Sequence, residues 1–561
     1  MARMTGGEAI AEVLRASGVE YVFGMSGGQT PFTVSVIAKG IRMMTIRSEK
    51  CGSLMATGYS RVSGKPGICT AADIGAAHLA LGLHEAYRSG IPVVAITSDV
   101  DPARAWRATG NFVDQEALFG PITKWMVRAE ALETLPEIVR SALRVATTGS
   151  PGPVSVIVPD TLLGAEADFE IHKEAEGARY PGIRLAPEAE SIKRASELLL
   201  EARNPAILAG GGIMLSQAFE ELEQLAELLV IPVATTHIAH GAFPNGHPLS
   251  LGVLGGPVAH GRGRVANRVV GEADVVLMVG TRADGATTRA WTIPSPNSKL
   301  VQIDIDPAGI GSNYPVEVGI VADARLALRA LAEALRGKVE RVSSIADTAE
   351  AKEISDLTKE WQEEFTHEMS SDAIPIKTPR LFREIQSCID QDTIVVLDAG
   401  SCSYWAANYL DATPQNQVLH PRGFPALGSG LPMALGAQAA EPDKKVICIS
   451  GDGAFGYNIM ELETAVRLHL PVVNIVLNNQ TLGMERRGFL EFCGETPPEA
   501  VSFTSQDFSK IAQAYNCFGA RVERPQDIRE AVTAALASGV PSIVDVLTDP
   551  EDSDSDNVPW R

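Results

Sequence analysis

Short runs of β-branched and other apolar residues alternate along the chain with Ala, Leu and Glu-rich stretches of helical period. That alternation predicts strand–helix–strand units on parallel sheets, and it occurs in three blocks. The first block runs from the N-terminus to Val156-Pro159, and a polar stretch from Gly164 to Gly182 follows it. The second opens with Pro205-Ala206-Ile207-Leu208-Ala209 and closes after the strand Leu300 to Asp304 and the helix following Asp323. Another charged segment, about Lys338 to Lys377, leads to the third. There the pattern predicts a strand (Thr393 to Leu397), a Gly loop, a helix, a strand (Lys445 to Ser450), a second Gly loop, a helix from near Tyr457 and a strand (Val472 to Leu477). The boundaries that follow are 1–165, a linker 166–187, 188–337, a linker 338–375, 376–548, and an acidic tail 549–561 that reads as a flexible flap or disordered end.

Composition agrees with an α/β fold. The 561 residues exceed a single domain several-fold, and a 45% apolar fraction with 51 Gly and 6% aromatics suits parallel strands ending in tight turns. A formal charge of −21 argues against a nucleic-acid or anionic-membrane partner. A bound phosphate would therefore be neutralised locally, by a metal ion or backbone amides. The seven cysteines are scattered and lack a CxxC pair, which points to a reducing compartment. Glu8 interrupts the first apolar stretch, and no run of about 18 apolar residues follows. The expectation is a cytoplasmic protein.

The densest chemistry lies in the third block. The strand Val446-Ile447-Cys448-Ile449 runs into Ser450-Gly451-Asp452-Gly453, a turn that presents a carboxylate and bare amides at a sheet's carboxyl edge, where helix starts favour anions. The next strand ends in Asn478-Asn479, and Asn479 lies 27 residues after Asp452. A crossover helix would bring the two to neighbouring strand ends. An Asp oxygen, an Asn amide oxygen, a backbone carbonyl and two phosphate oxygens make the all-oxygen octahedron that magnesium requires.

On these residues the chain resembles the thiamine diphosphate (ThDP) enzymes, whose signature is Gly-Asp-Gly, about two dozen residues, then Asn-Asn. The resemblance extends over nearly the whole length, to the acetolactate synthase, oxalyl-CoA decarboxylase and 2-hydroxyacyl-CoA lyase group. It implies three doubly wound α/β domains: pyrimidine-binding, middle and diphosphate-binding. It also implies that Asp452, Asn479 and the carbonyl of Thr481 hold Mg2+. Gly451, Gly453, Ala454, Leu482, Gly483 and Met484 would border the cofactor, with Ser401 and Cys402 in the loop that contacts the diphosphate. Thiamine chemistry needs a carboxylate on N1′ of the aminopyrimidine. The segment Ile46 to Lys50 resembles the family's strand end carrying that glutamate, which implies Glu49, a surface Glu paired with Lys50 being the plain alternative. Leu427, shortly before Gly430-Leu431-Pro432, falls where the family bends its cofactor; a core leucine is the plain alternative.

The reaction is less clearly marked. The middle block resembles acetolactate synthase, yet Asn111 stands at the family's acceptor-side glutamine, Gly488 at the tryptophan that selects the acceptor, and Ser48 at the usual histidine. The segments Gly451 to Gly456 and Met460 to Thr464 instead resemble oxalyl-CoA decarboxylase and 2-hydroxyacyl-CoA lyase. The favoured expectation is a lyase that releases an aldehyde or ketone plus formyl-CoA through a carbanion–enamine on the cofactor, with an acetolactate synthase-type carboligase or a decarboxylase as alternative. Glu485 is the expected proton shuttle, the alternative being an exposed Glu paired with Arg486 or Arg487. Gln29, Asp73 and His78 lie on loops that face the cofactor in relatives.

In the middle block Gly280-Thr281-Arg282, Asp304, Asp306 and Asp323 sit at strand ends suited to a nucleotide, ADP or FAD, with an empty site as the alternative. The resemblance further implies a homodimer or homotetramer with shared sites, a small-molecule or acyl-CoA substrate, and a tail that could close over it.

Overall fold

The computed structural model describes residues 2–105, 107, 111–172, 179–255, 261–340 and 342–552. The chain forms two compact units: Met1–Ile183 with Pro421–Val446 and Tyr457–Val472, and Arg184–His420 with Ile447–Gly456 and Val473–Arg561. Three six-stranded sheets carry them, as the alternating pattern predicts.

The first unit holds a parallel sheet in the order Arg42–Thr45, Tyr21–Gly24, Gly67–Ala71, Val93–Asp99, Val154–Pro159, Trp125–Arg128. Its central strands are buried along their whole length, so their residues read as unbroken apolar runs rather than alternating ones. Two helices of small residues meet in this unit, Glu49–Ser63 and Gly430–Ala440. A Cβ on Gly58 would fall 2.1 Å from the Met433 carbonyl oxygen, and one on Gly436 would fall 2.0 Å from that of Met55. Only glycine permits that approach, which explains why residues 421–446 fold with the N-terminal unit although they lie in the third block by sequence.

The second unit holds the other two sheets. The middle one runs Ser250–Val253, Val233–Thr235, Pro205–Ala209, Val275–Val279, Lys299–Asp304, Val318–Val321. The last runs Val418–Leu419, Thr393–Leu397, Lys445–Gly451, Val473–Asn478, Ser542–Leu547, Phe518–Val522. Asp452 begins a helix, Asp452–Gly456, followed in chain order by Glu461–Arg467; the helical pattern thus starts five residues earlier than the reading from Tyr457.

Both sequence linkers contain regular structure. Glu166–Phe169 pairs antiparallel with Ala2–Thr5, pinned by Arg3 on Glu166 at 3.1 Å. Within 338–375 lies the helix Ala349–Met369, capped by the Thr348 side chain. Ile354, Leu357, Trp361 and Phe365 form its apolar stripe, the first pair packed on the middle-sheet core and the second on the last. No helix among the described residues is long and apolar enough to cross a membrane.

Candidate functional site

At the carboxyl edge of the last sheet three helices start, at Ser401, Asp452 and Gly483. Parallel register places the ends of the strands side by side, Gly451 opposite Leu477. The Asp452 carboxylate is buried, accepting the N–H of Gly453 at 2.9 Å and that of Gln480 at 2.7 Å. Burial pushes it up to about 6, so the carboxylate is held where its charge is under-solvated and a cation would be favoured. Gln480 sits at φ +59, a left-handed conformation unusual for a residue with a side chain. It turns the chain between Asn479 and Thr481, with its own N–H on the Asp452 carboxylate.

Asn479 Oδ1 accepts from Thr481 N at 3.2 Å, and Thr481 Oγ1 donates to the Val501 carbonyl. Asn478 has a different task. Its amide donates to the Asp545 carboxylate and the Gln506 carbonyl, each at 2.9 Å, and so anchors the strand end. A Cβ on Gly483 would lie 3.5 Å from Ser401 Oγ and 3.7 Å from Asn479 Nδ2, which brings these three expected residues together. Gly453 faces Leu482 and the Phe503 ring, and Ala454 is buried behind it. The donor set of carboxylate, amide and helix-start N–H groups fits a divalent cation and a diphosphate.

Cys402 departs from the expectation of a cofactor contact through its side chain. It points into the apolar core, its thiol donating to the Asp398 carbonyl at 3.4 Å, and burial pushes the thiol up to about 12. The physical reason is helical: Ser401 and Cys402 are about 100° apart around their helix, so one faces the sheet edge and the other the core.

Met484, Glu485 and Gly488 lie on the helix Gly483–Cys493, which buries none of its residues within this chain. Glu485 is exposed. Arg486 pairs instead with Glu551 and the Pro550 carbonyl, and Arg487 with Glu491 at 2.6 Å. A side chain at Gly488 would meet open space. The Lys377 ammonium bonds Asp549 at 2.7 Å and Asp552 at 2.8 Å. Of the expected closing tail, 549–561, residues 553–561 lie outside the described residues.

In the first unit Glu49 is the first residue of the helix Glu49–Ser63. It faces the helix Asp73–Ser89: a Cβ on Gly75 would fall 2.5 Å from Glu49 Oε1, and His78 Nδ1 lies 3.0 Å from Oε2. Asp73 accepts from Ser98 Oγ at 3.2 Å. The Gln29 amide donates to the Met25 carbonyl, and its Oε1 is buried with no donor among the described residues. Leu427 is half-buried in the same unit. Asn111 lies on an exposed turn, and the buried amide of that segment is Gln115, held between Thr97 Oγ1 at 2.6 Å and the Ser98 carbonyl at 2.8 Å.

At the carboxyl edge of the middle sheet, Gly280 and Arg282 follow the strand Val275–Val279, and Asp304 ends the neighbouring strand Lys299–Asp304 with Asp306 just beyond it. Gly280 (φ +61) crosses the Gly210-Gly211-Gly212 turn so closely that a Cβ would meet Gly212 Cα at 2.5 Å. Burial pushes the Asp304 carboxyl up. Asp323 differs: its carboxylate caps the helix Ala324–Leu335 and takes Arg184 Nη1 at 2.8 Å and Ser216 Oγ at 2.8 Å, so its oxygens are committed to scaffolding. Sequence reading passed over the triple glycine, whose place after a strand was the available signal. It also passed over Gly75 and Gln480, which carry no local motif, and read Glu461 only as part of the Met460 to Thr464 resemblance.

Three family models match the chain: the N-terminal TPP binding domain of thiamine pyrophosphate enzymes over residues 4–118, their central domain over 192–331 and their C-terminal TPP binding domain over 398–546. The chain is 34% identical to a probable acetolactate synthase large subunit of Methanococcus aeolicus, over 98% of this chain and 92% of the relative. A protein of the same description from Methanocaldococcus jannaschii is also 34% identical, over 98% and 93%. The acetolactate synthase isozyme 2 large subunit of Escherichia coli is 31% identical, over 97% and 96%.

Proposed function

The chain belongs to the thiamine pyrophosphate enzymes, and from that premise we propose that it is a carboligase of the acetolactate synthase type. On this reading it releases CO2 from a 2-oxo acid such as pyruvate and joins the remaining two-carbon fragment to a second carbonyl compound, using ThDP and Mg2+. The observation that carries the reading is end-to-end similarity to acetolactate synthases over 97 to 98% of the chain.

The alternative thus takes the place of the favoured lyase. One motif behind the lyase expectation has a structural explanation: Glu461, in the Met460 to Thr464 segment, accepts the backbone N–H groups of Arg47 and Ser48. That is a scaffolding contact and carries no preference for an acyl-CoA.

When bound, the cofactor supplies a nucleophilic carbon and an electron sink. The protein's part is to bind and orient. Asp452, Asn479 and the Thr481 carbonyl would hold the metal, and the helix starts at Ser401, Asp452 and Gly483 would donate N–H groups to the diphosphate. Glu49 would hold a proton against N1′, and Leu427 would support the ring system. Glu485 and Asn111 would border the acceptor. With Gly488 in place of a bulky ring, that side is open and suits a larger acceptor. Gly280, Arg282, Asp304 and Asp306, beside the Gly210 to Gly212 turn, would take the nucleotide part of ADP or FAD. The reading includes an assembly of at least two copies, which sedimentation measures directly.

The deciding experiment incubates the purified protein with ThDP and Mg2+ and either pyruvate with a panel of 2-oxo acids and aldehydes, or a panel of 2-hydroxyacyl-CoAs. Acetolactate or a homologous 2-hydroxy ketone is the expected product. Aldehyde or ketone release from the CoA esters, with none from pyruvate, would overturn the carboligase in favour of the lyase. A flavin spectrum in the purified protein separates FAD from ADP.

A further inference from the structure

Glu49 and His78 stand on different helices of the first unit and meet at their side chains, with His78 Nδ1 3.0 Å from Glu49 Oε2. Gly75, one turn before His78, lets the two helices close on the carboxylate. Within the single chain the two side chains differ sharply in exposure: 16% for Glu49 and 60% for His78. Neighbouring charges are directed elsewhere, Lys50 over the Tyr457 ring and Asp73 to Ser98. Among the described residues the hydrogen-bond partner of the Glu49 carboxylate is His78.

A carboxyl group that must gain and lose a proton in a poorly solvated place needs a path to water. Imidazole provides one, because its two nitrogens can pass a proton through the ring. We propose that His78 is a positioning residue that relays protons between solvent and Glu49, a role that rests on reading Glu49 as the cofactor's carboxylate partner. In the outward step the Glu49 carboxyl gives its proton to Nδ1 while Nε2–H gives one to water. The inward step is the reverse, with water protonating Nε2 and Nδ1–H returning its proton to Glu49. One proton enters for each that leaves, and the ring ends neutral.

The test is hydrogen–deuterium exchange at C2 of bound ThDP, measured by proton NMR after mixing the Mg2+-loaded holoenzyme into D2O and quenching with acid. Wild type is compared with Glu49→Gln, His78→Ala and His78→Asn, with thermal melting to confirm that each is folded. Both His78 variants are expected to slow exchange roughly tenfold or more, and added imidazole to restore the rate in His78→Ala, since the exposed site leaves room for it. Glu49→Gln is expected to be slow with or without imidazole. Wild-type exchange in the His78 variants, or slow exchange that imidazole does not restore, would overturn the relay while leaving Glu49 in its role. Wild-type exchange in Glu49→Gln would remove the reading on which the relay rests, and the relay with it.

Discussion

Glu461 Oε1 accepts the backbone N–H of Arg47 at 3.0 Å and of Ser48 at 3.2 Å, across 414 and 413 residues of sequence. Its second oxygen takes Thr464 Oγ1 at 2.6 Å. The carboxylate fixes the backbone immediately before Glu49, so a buried acid in one segment sets the direction of the acid in another. Replacing it with Ala leaves two N–H groups without an acceptor, at about 1 to 3 kcal/mol for each that water does not reach. Glu461→Ala is expected to lower stability by about 2 kcal/mol or more in urea unfolding and to weaken ThDP binding. Glu461→Gln keeps an oxygen for these donors and is expected to lose about half as much. Equal losses in the two variants would show that the contact does not anchor the segment.

Gly75→Ala separates the position of Glu49 from the stability of the fold. Gly75 lies inside a helix, where Ala is favoured by about 1 kcal/mol. The added Cβ would fall 2.5 Å from Glu49 Oε1, the free end of a side chain that can swing away. The expected outcome is an unchanged or higher melting temperature together with a loss of cofactor-dependent turnover of about tenfold or more. A stable variant with full turnover would show that Glu49 is not needed where it stands.

Asp452 predicts how metal and pH interact. Burial raises its carboxyl from 3.8 to about 6. The folded state therefore holds the proton more tightly than the unfolded chain does. In the metal-free protein, ionised Asp452 costs stability in full above about pH 6, and the cost is relieved as pH falls from about 6 towards 3.8. A divalent cation needs the ionised form and offsets that cost. The rise in melting temperature produced by ThDP with Mg2+ is expected to be large above about pH 7 and to shrink below about pH 6, and EDTA is expected to abolish it. A shift of constant size through that range would exclude Asp452 as a ligand.

What the sequence disclosed depended on how local the cause was. Gly451-Asp452-Gly453 and Asn478-Asn479 announce a strand end and a turn in their own residues, and the structure places them at the ends of adjacent strands. Glu461 lies in a recognisable motif, but nothing in that motif tells its task, because its partners are backbone groups of a distant segment. The helix Ala349–Met369 was hidden by its own charge: its stripe of Ile354, Leu357, Trp361 and Phe365 is one residue wide among Glu, Lys and Asp. Ser401 and Cys402 are adjacent in sequence, whereas helix rotation sends one to the sheet edge and the other into the core. The reaction stayed ambiguous for a related reason, since the motif that favoured a lyase contains a residue whose work is to hold backbone.

Gln480 joins local strain to the site. Its φ of +59 is left-handed, and its N–H donates to Asp452 Oδ2 at 2.7 Å. Such a conformation costs about 1 kcal/mol for a residue with a Cβ and persists where surroundings impose it. Glycine adopts it freely, so Gln480→Gly is expected to remain within about 1 kcal/mol of wild type in urea unfolding and to keep the tie to Asp452. Gln480→Val adds β-branching to the same turn and is expected to lose about 2 kcal/mol. Gln480→Pro removes the donor and fixes φ near −65°, which the turn cannot accept. Calorimetric titration of ThDP with Mg2+ should therefore rank binding as Gly, then Val, then Pro. Binding by the Pro variant at wild-type affinity would mean that the Gln480 turn does not hold Asp452 in place.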